Sequence, residues 1–310
     1  MQISLILLEQ ITQLFLILIM GYVLVKSGMV KSSDSKIVSV IVVYLATPCI
    51  IINSFQVDYT PQVKTGLIYA FVVATAVHLL FLLFTFLIKK PLHLDSIEQA
   101  TLIYTNAGIL VIPLVNALLG SEYVVYSCAF IVVQVVLLWT HGCCLVSNQT
   151  KLDWKKVLLN VNILSIFVGA VLFLVRIPLP EVISGTLETC GSLLGPLGML
   201  LAGMVIADAP LKDLFTKKRN YLPTVIRLLV YPLLLLLLFK ITGIAYIIPD
   251  GKNILMIVYL ASVTPVCAAL TSIAQFYDRD AFHASALYVL STICSIATIP
   301  VMIGLFDVLI

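Results

Sequence analysis

Long apolar runs separated by short polar breaks set the pattern of this chain. A bilayer span needs roughly 20 predominantly apolar residues. By that measure ten candidate spans follow one another, over residues 5–25, 37–56, 66–88, 98–118, 123–146, 160–177, 186–206, 222–240, 254–275 and 281–305. The loops between them are short, and none could hold a soluble domain. The longest, near 207–221, carries Lys212, Lys217, Lys218 and Arg219. The predicted fold class is therefore all-α integral membrane, with ten transmembrane helices.

Prolines interrupt this pattern in an ordered way. Pro48, Pro113, Pro196 and Pro265 all fall mid-span, and Pro48–Pro196 and Pro113–Pro265 are each separated by close to half the chain length. The offset divides the chain into two five-span units, residues 1–150 and 151–310. Five is odd, so the second unit enters the membrane from the opposite side. Two copies of one unit are then related by an in-plane pseudo-two-fold axis, an inverted repeat. Pro232 and Pro300 are also mid-span and have no first-half partner. Proline inside a helix removes a backbone donor and clashes with the preceding turn. In hydrocarbon the freed carbonyl must be satisfied by protein or cavity water. Paired interruptions at corresponding places therefore point to a transporter's binding site.

Spans 4 and 9 carry the strongest break signals. Span 4 reads Tyr104-Thr105-Asn106-Ala107-Gly108, then Pro113 one turn later. Gly108 lowers helix stability and Pro113 leaves a backbone carbonyl unpaired, so together they favour an interruption at mid-depth. Span 9 carries Ala261-Ser262-Val263-Thr264-Pro265, followed by Ala268, Ala269, Thr271 and Ser272. If the two helices cross at their breaks, they present half-helix N-termini to a common point, which suits an anion such as a carboxylate. The competing reading is a pair of structural kinks whose polar residues bond neighbouring helices. Spans 2 and 7 form the other matched pair. Span 2 holds Tyr44, Thr47, Pro48 and Asn53, and Asn53 could face substrate or cap a helix end. Span 7 holds Gly191, Gly195, Gly198 and Ala202 on one face, a surface for close packing or for sliding.

Composition supports the membrane assignment. Of 310 residues 61% are hydrophobic and 11% charged, against about 25% charged in a soluble domain. Mean hydropathy is +1.14. A net charge of +3 does not suggest a nucleic-acid partner. The basic residues instead orient the chain. Loops after the odd-numbered spans hold most of the lysines and arginines, while loops after the even-numbered ones hold only Lys64, Arg176, Lys240 and Lys252. The positive-inside rule places the odd loops in the cytoplasm and both termini outside. The seven cysteines form no CxxC pair and read as small buried hydrophobes, not a disulfide framework or metal site. Residues 1–4 lack a basic n-region, so the first span is expected to stay in the mature protein.

Ionisable groups within spans are functional candidates by default. His78 lies mid-span 3 and His141 toward one end of span 5. Each could relay protons or bond a neighbouring helix. Arg227 is placed near the cytoplasmic boundary of span 8, where it could snorkel or pair with a substrate carboxylate. Asp208 could gate or simply be solvated, and Glu98 with Gln99 opens span 4, where an acid favours the N-terminus. No HExxH, GxSxG, P-loop or GxGxxG occurs in a usable context, so no catalytic set, metal site or cofactor is expected.

The stretch Asn106-Ala-Gly-Ile-Leu-Val-Ile-Pro113 resembles the fourth-helix motif of the auxin efflux carrier family, which includes malate-permease-like proteins and is related to the plant PIN carriers. Tyr44-Leu-Ala-Thr-Pro48, Gly195 through Gly203, Arg227 through Pro232 and Pro265 through Tyr277 resemble the same family. The resemblance implies a scaffold from helices 1, 2, 6 and 7, a moving transport domain from helices 3–5 and 8–10, and helices 4 and 9 crossed at their prolines. It also implies a homodimer through the scaffold. By similarity, Asn106 and the backbone near Pro113 and Pro265 would contact an organic anion. Thr105, Gly108, Ser262, Thr264 and Asn53 complete the expected substrate-binding set, with His78 and Arg227 in proton or charge roles. The chain lacks the long cytoplasmic loop of the plant carriers and is less polar after Asn106, which favours a small carboxylate over auxin. The expected function is thus a secondary transporter of a small organic anion across the plasma membrane, working by alternating access. A sodium-coupled carrier of bile-acid type, a non-transporting anion sensor and a polytopic enzyme are the rivals. The last would need clustered acids or histidines at one face.

Overall fold

The computed structural model describes residues 2–57, 59–148, 159, 161–208 and 215–310. Among the described residues the chain is helical, with no strand and one isolated antiparallel bridge, Thr105 to Val266. The helices are α1 (Gln2–Lys26), α2 (Ser32–Ser54), α3 (Pro61–Ile88), the two halves α4a (Ser96–Ile103) and α4b (Ala107–Leu119), α5 (Ser121–Ser147), α6 (Val161–Val175), α7a (Glu181–Ser192) and α7b (Leu194–Asp208), α8 (Lys218–Thr242), α9a (Gly251–Val263) and α9b (Ala269–Phe276), and α10 (Ala281–Leu309). Six are long and apolar enough to cross a bilayer: α2, α3, α5, the α7 pair, α8 and α10. The apolar stretches of α4b, α6 and α9a are shorter. Breaking a span in two leaves each half too short to cross alone.

Local chemistry fixes many helix ends. Thr60 Oγ1 accepts from the Val63 amide, with Pro61 supplying the preset first-turn backbone of α3. At α4a, Asp95 Oδ1 accepts from the Glu98 amide and Glu98 Oε2 accepts from the Asp95 amide, a reciprocal cap that starts the helix two residues earlier than expected. Asp280 Oδ1 accepts from the His283 amide at α10. Gly243 ends α8 in the left-handed conformation.

Most prolines do not break their helices. Helix α2 runs through Pro48, and α8 runs through Pro232. In each, a π-helical turn (Val42–Ala46 and Ile226–Val230) ends two residues before the proline. The wider i→i+5 turn absorbs the register change that a missing N–H would otherwise force on the helix. Pro300 lies inside the continuous α10 and Pro113 inside the continuous α4b. Pro196 lies in the first turn of α7b, where its missing donor is not needed. These positions correct the expectation that Pro48, Pro113 and Pro196 mark interruptions. The α7 pair does part, at Leu193, and among the described helices α4 and α9 are the ones that open into extended backbone.

Close packing organises the rest. A Cβ on Gly21 would stand 2.3 Å from the Leu200 carbonyl oxygen, and one on Gly203 would stand 1.9 Å from that of Leu18. Helices α1 and α7b therefore touch backbone to backbone, as small residues allow in lipid. Helix α2 packs on α6 and the α7 pair, and α3 packs on α5. Gly195 faces Pro113, and Gly198 faces Ile109, so the small-residue face of α7b seats α4b. Large apolar side chains such as Leu79, Phe86, Val182 and Val308 stay exposed, which in a membrane protein is the lipid-facing surface.

Candidate functional site

The interruptions of α4 and α9 lie against each other. Tyr104 takes extended dihedrals (φ −100°, ψ 125°), as does Thr264 (φ −65°, ψ 156°). The Asn106 amide donates to the Pro265 carbonyl (2.8 Å), and the Cys267 amide donates to the Tyr104 carbonyl (3.1 Å). Two short extended segments thus exchange bonds at the crossing. The break in α9 is local in origin: Pro265 drives Thr264 out of the helical region. The break in α4 is not where the sequence predicted it. It falls at Tyr104–Asn106, ahead of Gly108, while Pro113 sits further along an unbroken half-helix. What opens α4 is tertiary. Gln134 on α5 grips Thr105 three times: its Oε1 accepts from the Thr105 amide (3.0 Å) and hydroxyl (2.7 Å), and its Nε2 donates to the Thr105 carbonyl (2.9 Å). The side-chain amide replaces the helical partners that Thr105 gives up, as a buried backbone requires. Ser291 on α10 plays the corresponding part for α9, its Oγ accepting from the Val266 amide (3.1 Å). Neither residue was a sequence candidate. The available signal was a lone glutamine deep in an apolar run, and a serine beside Thr292 and Ser295.

Arg227 is fully buried, which corrects its expected place near the cytoplasmic boundary. Its Nη1 donates to the Leu102 carbonyl (3.2 Å), and its Nη2 donates to the carbonyls of Ser262 (2.5 Å) and Thr264 (3.2 Å). The guanidinium therefore closes the C-terminal ends of α4a and α9a together. Those ends carry orphan carbonyls and partial negative charge. The snorkelling reading fails because the guanidinium is enclosed by protein and bonded to these carbonyls. The face of Phe81 lies 5.0 Å from the guanidinium carbon.

The other candidates divide clearly. Asn106 is buried, and its carbonyl starts α4b by accepting from Ile109 and Leu110. Its Nδ2 is buried and has no partner. A Cβ on Gly108 would meet nothing within 4 Å, so open space lies beside the first turn of α4b. The hydroxyls of Ser262 and Thr264 donate back to Tyr259 and Ala261 of their own helix, and Thr105 is held by Gln134. These three shape the crossing through backbone, not as free side-chain donors. Asn53 lies near the C-terminal end of α2, whose last turns pack against α6 and α7a. His78 is fully buried on α3: its Nδ1–H donates to the Ala74 carbonyl (2.8 Å), its ring lies 4.4 Å from that of Phe130, and its Nε2 has no partner. The Tyr104 hydroxyl donates to the Leu137 carbonyl and lies 2.8 Å from His141 Nδ1. The side chain of Asp208 and the position of Lys212 lie outside the described residues. Next to the crossing, a narrow cleft between α1, α4b, α7b and α10 is lined by Leu14, Leu110, Leu114, Met199, Thr292 and Ser295.

A second polar cluster lies where α4a, α8 and α10 begin. Arg219 clasps the buried Glu98 carboxylate through Nε (2.5 Å) and Nη2 (2.6 Å), and Nη2 also donates to the carbonyls of Leu92 and His93. His283 Nε2 lies 3.6 Å from Asp95 Oδ2. This bidentate pair joins the start of α8 to the start of α4a.

Apolar spans around two interrupted, mutually bonded helices define a multi-pass membrane protein of the transporter class. The model of the membrane transport protein family matches residues 6–153 and 145–303, and the chain belongs to that family, the auxin efflux carriers. A comparison with curated proteins finds no match.

Proposed function

We propose that the protein carries a small organic anion, and that the crossing of α4 and α9 is where the anion binds. One observation carries this reading: at the crossing the helix C-ends are closed by Arg227, while the start of α4b offers an unpartnered buried donor, Asn106 Nδ2, beside the open space at Gly108. A half-helix start with spare N–H groups attracts negative charge. A carboxylate can accept from Asn106 Nδ2.

The layout we propose has ten spans in two inverted repeats, with both termini outside the plasma membrane. Corresponding helices support it. The fourth helix of each half is broken, and the fifth supplies the clamp, Gln134 in one half and Ser291 in the other. Transport would then be alternating access. The crossed helices, with α3, α5, α8 and α10, move against a scaffold of α1, α2, α6 and α7. The backbone contacts of α1 with α7b hold the scaffold, and the glycines facing Ile109 and Pro113 form a smooth seam. The test is uptake of labelled small mono- and dicarboxylates into proteoliposomes. Wild-type protein should accumulate at least one of them, and Asn106→Ala should lose affinity by about 10- to 100-fold, the worth of one hydrogen bond to a charged group. Undiminished uptake by the variant would remove Asn106 from the site.

A further inference from the structure

The carbonyl groups under the crossing resemble a cation site more than an arginine pocket. Leu102, Ser262 and Thr264 turn three backbone oxygens, from the ends of two half-helices, toward one point. Half-helix C-ends and unwound carbonyls of this kind hold sodium in coupled carriers. Here the point is filled by a side chain of the protein itself. Arg227 is fully buried, and among the described residues no carboxylate pairs with it. Its balance comes from the two helix ends, each worth roughly half a negative charge, together with the face of Phe81. Two half charges against one whole charge leave the pocket close to neutral. A second cation there would meet occupied oxygens and the repulsion of a buried guanidinium.

We infer that Arg227 is a tethered cation standing where a mobile coupling ion would bind, so that the crossing takes its anion without sodium. The inference rests on the crossing being the transport site, and it assigns the specificity of that site: positive helix starts face the substrate, and the negative ends are permanently masked. Arg227 touches carbonyls and not substrate, so it is a positioning residue. Its fork is suited to the task because Nη1 and Nη2 reach different helices at once, which a lysine ammonium on a single stem does less well. The π-helical turn Ile226–Val230 contains Arg227 and sets where it leaves α8.

Thermal unfolding of purified protein tests this without any anion. Wild type should melt at the same temperature in sodium chloride as in choline chloride of equal ionic strength. Arg227→Ala should melt several degrees lower and regain at least half of that loss in millimolar guanidinium chloride, with the recovery growing with the logarithm of concentration. Choline should give no recovery, and wild type should not respond to guanidinium at that level. Arg227→Lys should fold and remain indifferent to sodium. A folded Arg227→Ala protein that guanidinium leaves unchanged overturns the inference. So does a wild-type protein stabilised specifically by sodium, a result that stands even if the alanine variant fails to fold. Because no carboxylate enters these measurements, guanidinium recovery together with normal uptake by Asn106→Ala would fault the anion site alone.

Discussion

At the residue scale the crossing is held by new partners for backbone groups that the helix breaks release. Several of the N–H and C=O groups released where α4 opens find partners: Gln134 for Thr105, Cys267 for the Tyr104 carbonyl, Pro265 for the Asn106 amide and the Thr105 hydroxyl for the Ala107 amide. Such groups cost about 1–3 kcal/mol each when left buried and unpaired. Gln134→Leu strips both partners from Thr105, so we expect a loss of roughly 2–4 kcal/mol in stability. That should appear as a melting midpoint several degrees lower, with Gln134→Glu less severe because it keeps an acceptor. An unchanged midpoint for Gln134→Leu would show that α4 stays open for another reason. Among the described residues two buried donors at the crossing lack a partner, Arg227 Nε and Asn106 Nδ2, and we take the second, at the start of α4b, as a group kept for a partner the protein does not itself supply.

At the scale of the element, two glycines separate packing from function. Gly203 meets backbone, and an added methyl would lie 1.9 Å from the Leu18 carbonyl oxygen. Neither helix can yield there without moving as a whole, so Gly203→Ala should destabilise by more than the 1–3 kcal/mol or so typical of overpacking. Gly108 meets open space, and Gly108→Ala should raise helix stability by about 0.5–1 kcal/mol while lowering uptake, because the methyl enters the proposed site. Melting curves and uptake rates on the same two variants check both halves of the prediction. Destabilisation by Gly108→Ala would show that the space is not open. The same scale shows what a sequence can reveal. The break in α9 was legible because its cause is local, a proline acting on the residue before it. Asn106 and Gly108 pointed to the right helix in the first half, but Pro113 pointed to the wrong turn. The forces that open α4 come from Gln134 and from α9, and no local rule carries them. Arg227 was misplaced for a related reason. A lone arginine near the end of an apolar run reads as interfacial unless one knows that two helix ends converge on it.

At the scale of the whole molecule, buried polar groups from several helices meet at the crossing. Gln134, Ser291 and Arg227 converge on the crossing from three helices, while α1 and α7b meet backbone to backbone at Gly21 and Gly203. That contrast suits one body that must stay intact while it moves and another that provides a flat face. The all-helical membrane class and the family were legible from hydropathy and motif. The way the polar groups close around the crossing was not, because it depends on contacts between helices far apart in sequence. The most direct test of the central claim is thermal stabilisation by a panel of small carboxylates, measured on wild type and Asn106→Ala in parallel. We predict that at least one carboxylate raises the wild-type midpoint with its concentration, and that Asn106→Ala, with an unchanged ligand-free midpoint, loses the rise. Equal stabilisation of both proteins, or stabilisation of wild type by cations or neutral solutes alone, would contradict an anion site at the crossing.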